Sequence, residues 1–193
     1  MQGEHAAIET VLIVCTANQC RSPLAAALLR RALEDTDVVV LDAGTGEAGY
    51  PVTEGTLTAA ARLELDLADH RSTTVDASLV EKADLILTME REHVRTIVLE
   101  HPQAWAKTFT LKEFVRRSED LAPRHNGQPL TVWLEELHEG RSRADLLGAS
   151  PVDDVADPTS DRRVDHDSLA EELDELVAAL VVAAAFSKPP DEQ

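Results

Sequence analysis

Cysteine is scarce in this 193-residue chain: Cys15 and Cys20 are its only two thiols. That number excludes a disulfide scaffold, and a lone Cys-x4-Cys with no second pair is not a zinc site. Neither a metal nor any other cofactor is expected. Aromatic residues make up only 3% of the chain, which leaves few side chains to wall a substrate slot. Positive charge is thin as well, with 18 basic against 36 acidic residues and a net charge of −18. That balance argues against nucleic acid or an anionic membrane as a general partner. No long hydrophobic run is present, since the longest apolar stretch, Leu176–Phe186, is too short to span a bilayer. The start MQGEHAAIET lacks the basic end and apolar core of a signal peptide, so a cytoplasmic location is expected. There is no internal repeat.

What is present is concentrated in VLIVCTANQCRSPLAAALL at Val11–Leu29. A β-branched apolar run (Val11, Ile13, Val14) stops at Cys15, and Arg21-Ser22-Pro23 leads into an alanine- and leucine-rich helix. A loop between a strand and a helix N-terminus directs unpaired amide groups and the positive end of the helix dipole at one point, which suits a tetrahedral oxyanion. Thr16, Ala17, Asn18, Gln19 and Cys20 supply that cradle, together with Ser22. Thiols placed this way are more readily ionised than free cysteine, so Cys15 is the candidate nucleophile. Arg21 offers paired N–H donors to a phosphoryl group, a geometry that lysine does not reproduce. Ser22 is expected as the N-cap of the helix, with Pro23 at its first position and the hydroxyl near Cys15. Asn18 tolerates a left-handed backbone. Taken alone, Cys-x5-Arg also describes a buried strand-end cysteine beside a surface arginine; the flanking strand, Ser-Pro step and helix favour the anion site.

Apolar patterning predicts strands at Thr10–Cys15, Val38–Ala43, Ala83–Met89 and Thr108–Leu111. Between and after them, helices are predicted at Ser22–Asp35, Thr53–Leu65, Glu90–Glu100, Leu130–Glu139 and Ser168–Phe186. Strands alternating with helices imply a three-layer α/β/α fold with a four-stranded parallel sheet, its ligand at the carboxyl ends of the strands. Residues 1–193 are read as a single domain, with 115–153 as an extended insertion and 187–193 as a disordered tail.

CTANQCRSPLAAALLR resembles the CxxNxCRSPxAE-type signature of low-molecular-weight protein tyrosine phosphatases, matching at Cys15, Asn18, Cys20, Arg21, Ser22, Pro23 and Ala25. The segments DAGT (Asp42–Thr45), HRS (His70–Ser72), ADLILTMEREH (Ala83–His93) and TFTLKEF (Thr108–Phe114) resemble later segments of that family, in its order. DVADP at Asp154–Pro158 resembles its acid-bearing loop, so the likeness runs over roughly residues 10–186. The resemblance implies hydrolysis of phosphotyrosine or a related phosphate monoester through a phosphocysteine on Cys15. Asp157 is the implied general acid and base, its backbone restricted by Pro158; Asp153 and Asp154 are nearby competitors. It also implies a network of Asn18, Asp42 and His70, with Asp42 where the family has serine. Cys20 resembles the loop cysteine that pairs with the nucleophile on oxidation; a small core filler is the other reading. The expected partner is a phosphotyrosine protein or a small phosphate ester.

Several residues depart from the pattern. Ala17 stands where glycine is common, GEAG carries no aromatic wall and leaves only Tyr50 nearby, and Thr159-Ser160-Asp161-Arg162-Arg163 replaces the usual aromatic and glycines. The alternative class is a single-cysteine arsenate reductase using an external thiol. Such proteins tend to read Arg-Ser-Gln, whereas this chain reads Arg21-Ser22-Pro23.

Overall fold

A computed structural model describes residues 9–161 and 163–186; the predicted tail at 187–193 lies outside them. The strands β1 (Thr10–Cys15), β2 (Val39–Gly44), β3 (Leu85–Thr88) and β4 (Thr108–Thr110) form one parallel sheet in the order β2-β1-β3-β4. β1 is central, and its interior residues are buried on both faces, as a strand covered by helices on each side must be. Alternation along β1 divides the core. Val11, Ile13 and Cys15 join the larger cluster with Leu24, Leu28 and Leu173, while Leu12 and Val14 pack with Ala43, Val80, Ile86 and Ile97. These are the expected three layers. Cys15 therefore lies on the α1 side because it falls in register with Val11 and Ile13.

The helices are α1 (Arg21–Ala32), α2 (Glu54–Arg62), α3 (Ala77–Lys82), α4 (Arg91–Glu100), α5 (Leu111–Ser118), α6 (Leu130–His138) and α7 (His166–Ala184), with 3-10 turns at Pro102–Lys107 and Arg143–Leu146. Helices α3 and α5 were not predicted; each is short and follows a capping Asp76 or Thr110 side chain that accepts from the backbone. α1 ends at Ala32 rather than Asp35, and α7 starts at His166 behind an Asp165 cap. Ser22 is not the N-cap of α1. That position falls to Cys20 without a side-chain bond, because the Ser22 hydroxyl is directed at Cys15, Asn18 and Ala43 instead. Pro23 then sits in the first turn, where no N–H is needed.

Within 115–153, α6 buries Trp133, Leu134 and Leu137 in the larger core cluster. Phe114 meets Phe109 and Trp133 edge-on, at ring centroid distances of 5.8 and 5.6 Å. Arg141 lies 3.9 Å from the ring centroids of both Trp105 and Phe109 and pairs with Glu113. The carboxyl end of β1, between its neighbours β2 and β3, is where the strand order reverses direction, the usual position of a ligand crevice in an open α/β sheet.

Candidate active site

The loop from Cys15 to Arg21 turns over the carboxyl end of β1 and is clamped from both sides. On the β2 side, the Gly46 and Thr45 amides donate to the Thr16 and Cys15 carbonyls at 2.8 and 3.0 Å. Gly44 makes that approach possible, since a Cβ there would lie 2.5 Å from the Thr16 carbonyl oxygen. Asn18 takes the left-handed conformation, with φ of 52°. Its side chain satisfies the strained turn: Nδ2 donates to Asp42 Oδ1 at 2.7 Å and to Ser22 Oγ at 3.0 Å, and Oδ1 accepts from the Thr73 amide at 2.8 Å. His70 Nε2 donates to the Asn18 carbonyl at 2.8 Å, which places Asn18, Asp42 and His70 in one network. Its Nδ1 is 3.7 Å from Asp42 Oδ1. Arg30 completes the Asp42 carboxylate at 2.6 Å, an interaction that the sequence reading missed.

Cys15 Sγ is buried, 2.9 Å from Ser22 Oγ and 3.2 Å from the Asn18 amide nitrogen. Ser22 carries one hydroxyl proton and has two acceptors in reach, Sγ and the Ala43 carbonyl at 3.2 Å. With a neutral thiol, Cys15 donates to Oγ; with a sulfur anion, the hydroxyl turns to sulfur. Cys20 is also a free, buried thiol, and burial pushes it up to about 11 against the pull of the Thr56 hydroxyl.

Arg21 is 2% exposed and connects distant segments of the chain. One terminal nitrogen pairs with Glu90 and donates to the Val155 carbonyl at 3.0 Å; the other donates to Asp157 Oδ2 at 2.7 Å and reaches Thr16 Oγ1 at 3.4 Å. Burial opposes its charge, but the bond to Glu90 and the nearby Asp157 and Cys15 charges raise its pKa overall. The remaining Asp157 oxygen accepts from the amide and hydroxyl of Thr159 at 2.9 and 2.7 Å.

The two competing carboxylates are engaged elsewhere. Asp153 is 4% exposed and paired with Arg91 and Arg116; although burial acts the other way, those arginines hold its carboxyl below the usual range. Asp154 accepts from the amides of Arg91 and Ser150.

Cys15, Ala17, Gln19, Cys20, Arg21, Thr53, Asp157 and Thr159 line one cavity of about 250 Å³. Asn18 and Ser22 are buried behind it and brace the loop, while Thr16 is exposed and is not among the lining residues. Tyr50 is half exposed with its hydroxyl on Glu47, and no aromatic residue is among those lining the cavity. The sequence reading also missed Glu90 and His93 at the start of α4, and Thr53, whose amide donates to the Gln19 carbonyl at 3.0 Å. Glu90 and Thr53 carried a local signal as caps, but nothing along the chain pointed either toward the loop.

A thiol, a guanidinium and a carboxyl thus converge on an oxyanion-sized cradle at the switch point of a parallel sheet, a site of the phosphate-handling class. The model of the low molecular weight phosphotyrosine protein phosphatase family matches residues 10–127, and the chain belongs to that family, whose members are phosphoric monoester hydrolases. The probable low molecular weight protein-tyrosine-phosphatase EpsP of Ralstonia nicotianae is 38% identical over 131 residues, 67% of this chain and 87% of that protein. A protein-arginine-phosphatase of Geobacillus stearothermophilus is 36% identical over 145 residues, 71% of this chain and 92% of that protein. The solved YwlE arginine phosphatase from Geobacillus stearothermophilus superposes with a TM-score of 0.65 at 29% identity, covering 89% of this chain and 90% of that one. Among the described residues, no helix is long and apolar enough to cross a membrane.

Proposed function

We propose that this phosphatase hydrolyses phosphotyrosine or a related phosphate monoester on proteins through a phosphocysteine intermediate. The observation that carries this reading is the presence of Cys15, Arg21 and Asp157 on the wall of one cavity. Cys15 sulfur attacks phosphorus while Arg21 binds the non-bridging oxygens. As the ester P–O bond breaks, the Asp157 carboxyl gives its proton to the leaving oxygen. The resulting carboxylate then takes a proton from the attacking water; the P–S bond breaks, Cys15 leaves as a sulfur anion, and inorganic phosphate departs.

A second reading is favoured by the cavity lining. Thr53, Thr159 and Gln19 take the place of an aromatic wall, and Asp157 is an acidic neighbour for a cationic leaving group, so phosphoarginine fits as well as phosphotyrosine. The similarity to protein-arginine-phosphatases supports the same reading.

Two free thiols in one loop fit a reducing, cytoplasmic setting. There, peroxide would convert Cys15 to a sulfenic acid with loss of water. Attack by the Cys20 sulfur would release a second water and form a reversible disulfide. Recovery of a Cys15–Cys20 crosslinked peptide after mild peroxide supports that step; irreversible overoxidation of Cys15 alone overturns it.

The direct test is phosphate release from p-nitrophenyl phosphate, phosphotyrosine peptide and phosphoarginine peptide by the wild type and Cys15→Ser, with arsenate reduction by an added thiol measured alongside. Cys15-dependent release is expected, and the ratio of the two peptides decides between the substrate readings. Arsenate reduction without phosphate release would overturn both.

A further inference from the structure

His93 is 3% exposed, sits at the edge of the site, and has no part in the chemistry described above. Its two ring nitrogens have different partners. The Glu90 amide is 3.1 Å from Nδ1 and points its N–H at it, so Nδ1 is an acceptor. A neutral imidazole has a single N–H, which must then be on Nε2, and Nε2 is 2.9 Å from Thr16 Oγ1. Thr16 is the first residue after the nucleophile. Its carbonyl is already held by the Gly46 amide, and Arg21 reaches its hydroxyl.

We propose that His93 is a positioning residue of the phosphate loop, a neutral imidazole whose Nε2–H holds the Thr16 hydroxyl and so sets the loop path opposite the β2 clamp. The proposal rests on the reading of this loop as a phosphate site. The start of α4 then serves the loop twice. The Glu90 side chain pairs with Arg21, while the Glu90 backbone sets the His93 tautomer. Charge around the ring agrees with a neutral state: burial and the Arg21 charge push His93 down to about 4, with Arg95 acting in the same sense and Asp154 and Asp157 opposing.

A purely structural histidine would affect stability and leave phosphate affinity alone. The test therefore reads the Kd of inorganic phosphate by calorimetry, and kcat and KM on p-nitrophenyl phosphate, for Thr16→Val, Thr16→Ser, His93→Asn and Thr16→Val/His93→Asn. Asparagine at 93 retains an acceptor for the Glu90 amide but is too short to reach Thr16. Thr16→Val and His93→Asn should each weaken phosphate binding and lower kcat/KM by about fivefold, the measure of one hydrogen bond. Thr16→Ser should restore wild-type values, and the double variant should be no worse than the weaker single. Wild-type phosphate affinity in folded Thr16→Val, or losses that multiply in the double variant, would overturn the proposal. If His93→Asn fails to fold, His93→Ala takes its place in the series, because Arg21 also reaches the Thr16 hydroxyl and only a change at position 93 ties the loss to the imidazole. Absence of ester turnover by the wild type would remove the proposed function, while the phosphate Kd series would still decide the role of His93.

Discussion

At Gly44, an added methyl group would lie 2.5 Å from the Thr16 carbonyl oxygen and 2.9 Å from the Asn18 nitrogen. Both atoms are backbone, so they yield only if the loop moves. Gly44→Ala should lower kcat/KM on p-nitrophenyl phosphate at least about tenfold and lower stability by about 1–3 kcal/mol, read by activity and thermal melting. Asp157→Asn tests the acid role by leaving group. The loss should be large for phenyl phosphate, whose leaving oxygen needs a proton, and small for p-nitrophenyl phosphate; equal losses would remove Asp157 from the role. Much of this scale was legible in the chain. Cys15, Asn18, Arg21 and Ser22 lie within a few residues of one another, and their spacing reflects local geometry. Glu90 and His93 were not legible, because their partners Arg21 and Thr16 lie 69 and 77 positions away and only the parallel pairing of β1 with β3 brings them together.

The N-terminus of α4 has a measurable pH signature. The folded pKa of His93, about 4, lies below its ordinary 6.5. Between those values the unfolded chain binds the extra proton, so stability rises with pH through this window. The contribution is complete above about pH 6.5 and is lost as pH falls toward 4, on the order of 3 kcal/mol in all. Melting temperature measured from pH 7 to 4 should therefore fall more steeply in the wild type than in His93→Asn. Among the elements, the strands were readable as short apolar runs and the longer helices because their periodicity accumulates over several turns. α3 and α5 span six and eight residues, too few to accumulate such a signal, and their caps carry the information instead. Ser22 shows the opposite failure. Its capping signature was sound chemistry, but Cys15 and Asn18 engage the hydroxyl.

Over the whole molecule, four of the six aromatic residues gather around α6 and none of the six lines the cavity. Phe109, Phe114 and Trp133 meet edge to face, and Trp105 covers one side of Arg141. Trp133→Ala should therefore destabilise the protein by about 3–5 kcal/mol in denaturant titration, while phosphate affinity stays close to wild type. The net charge of −18 surrounds a site built to receive an anion. Phosphopeptides with acidic flanks should accordingly be disfavoured at low ionic strength, and that disadvantage over basic flanks should shrink as salt is added. Composition announced this acidity. It did not announce that the aromatic side chains serve the core around α6, leaving the cavity with a polar lining.

The clasp between Arg21 and Asp157 has a consequence for the timing of catalysis. The carboxylate of Asp157 is itself a ligand of the guanidinium proposed to receive the phosphoryl group. If Arg21 binds the phosphoryl group as proposed, the ester and Asp157 compete for the same donors, and an arriving ester would free the carboxylate from its ion pair, where it can take up the proton it is proposed to pass to the leaving oxygen. On the same reading the exchange would run backwards on product release, with return of Asp157 to Arg21 opposing retention of inorganic phosphate. The residue proposed to deliver the proton would then also keep the site from clogging.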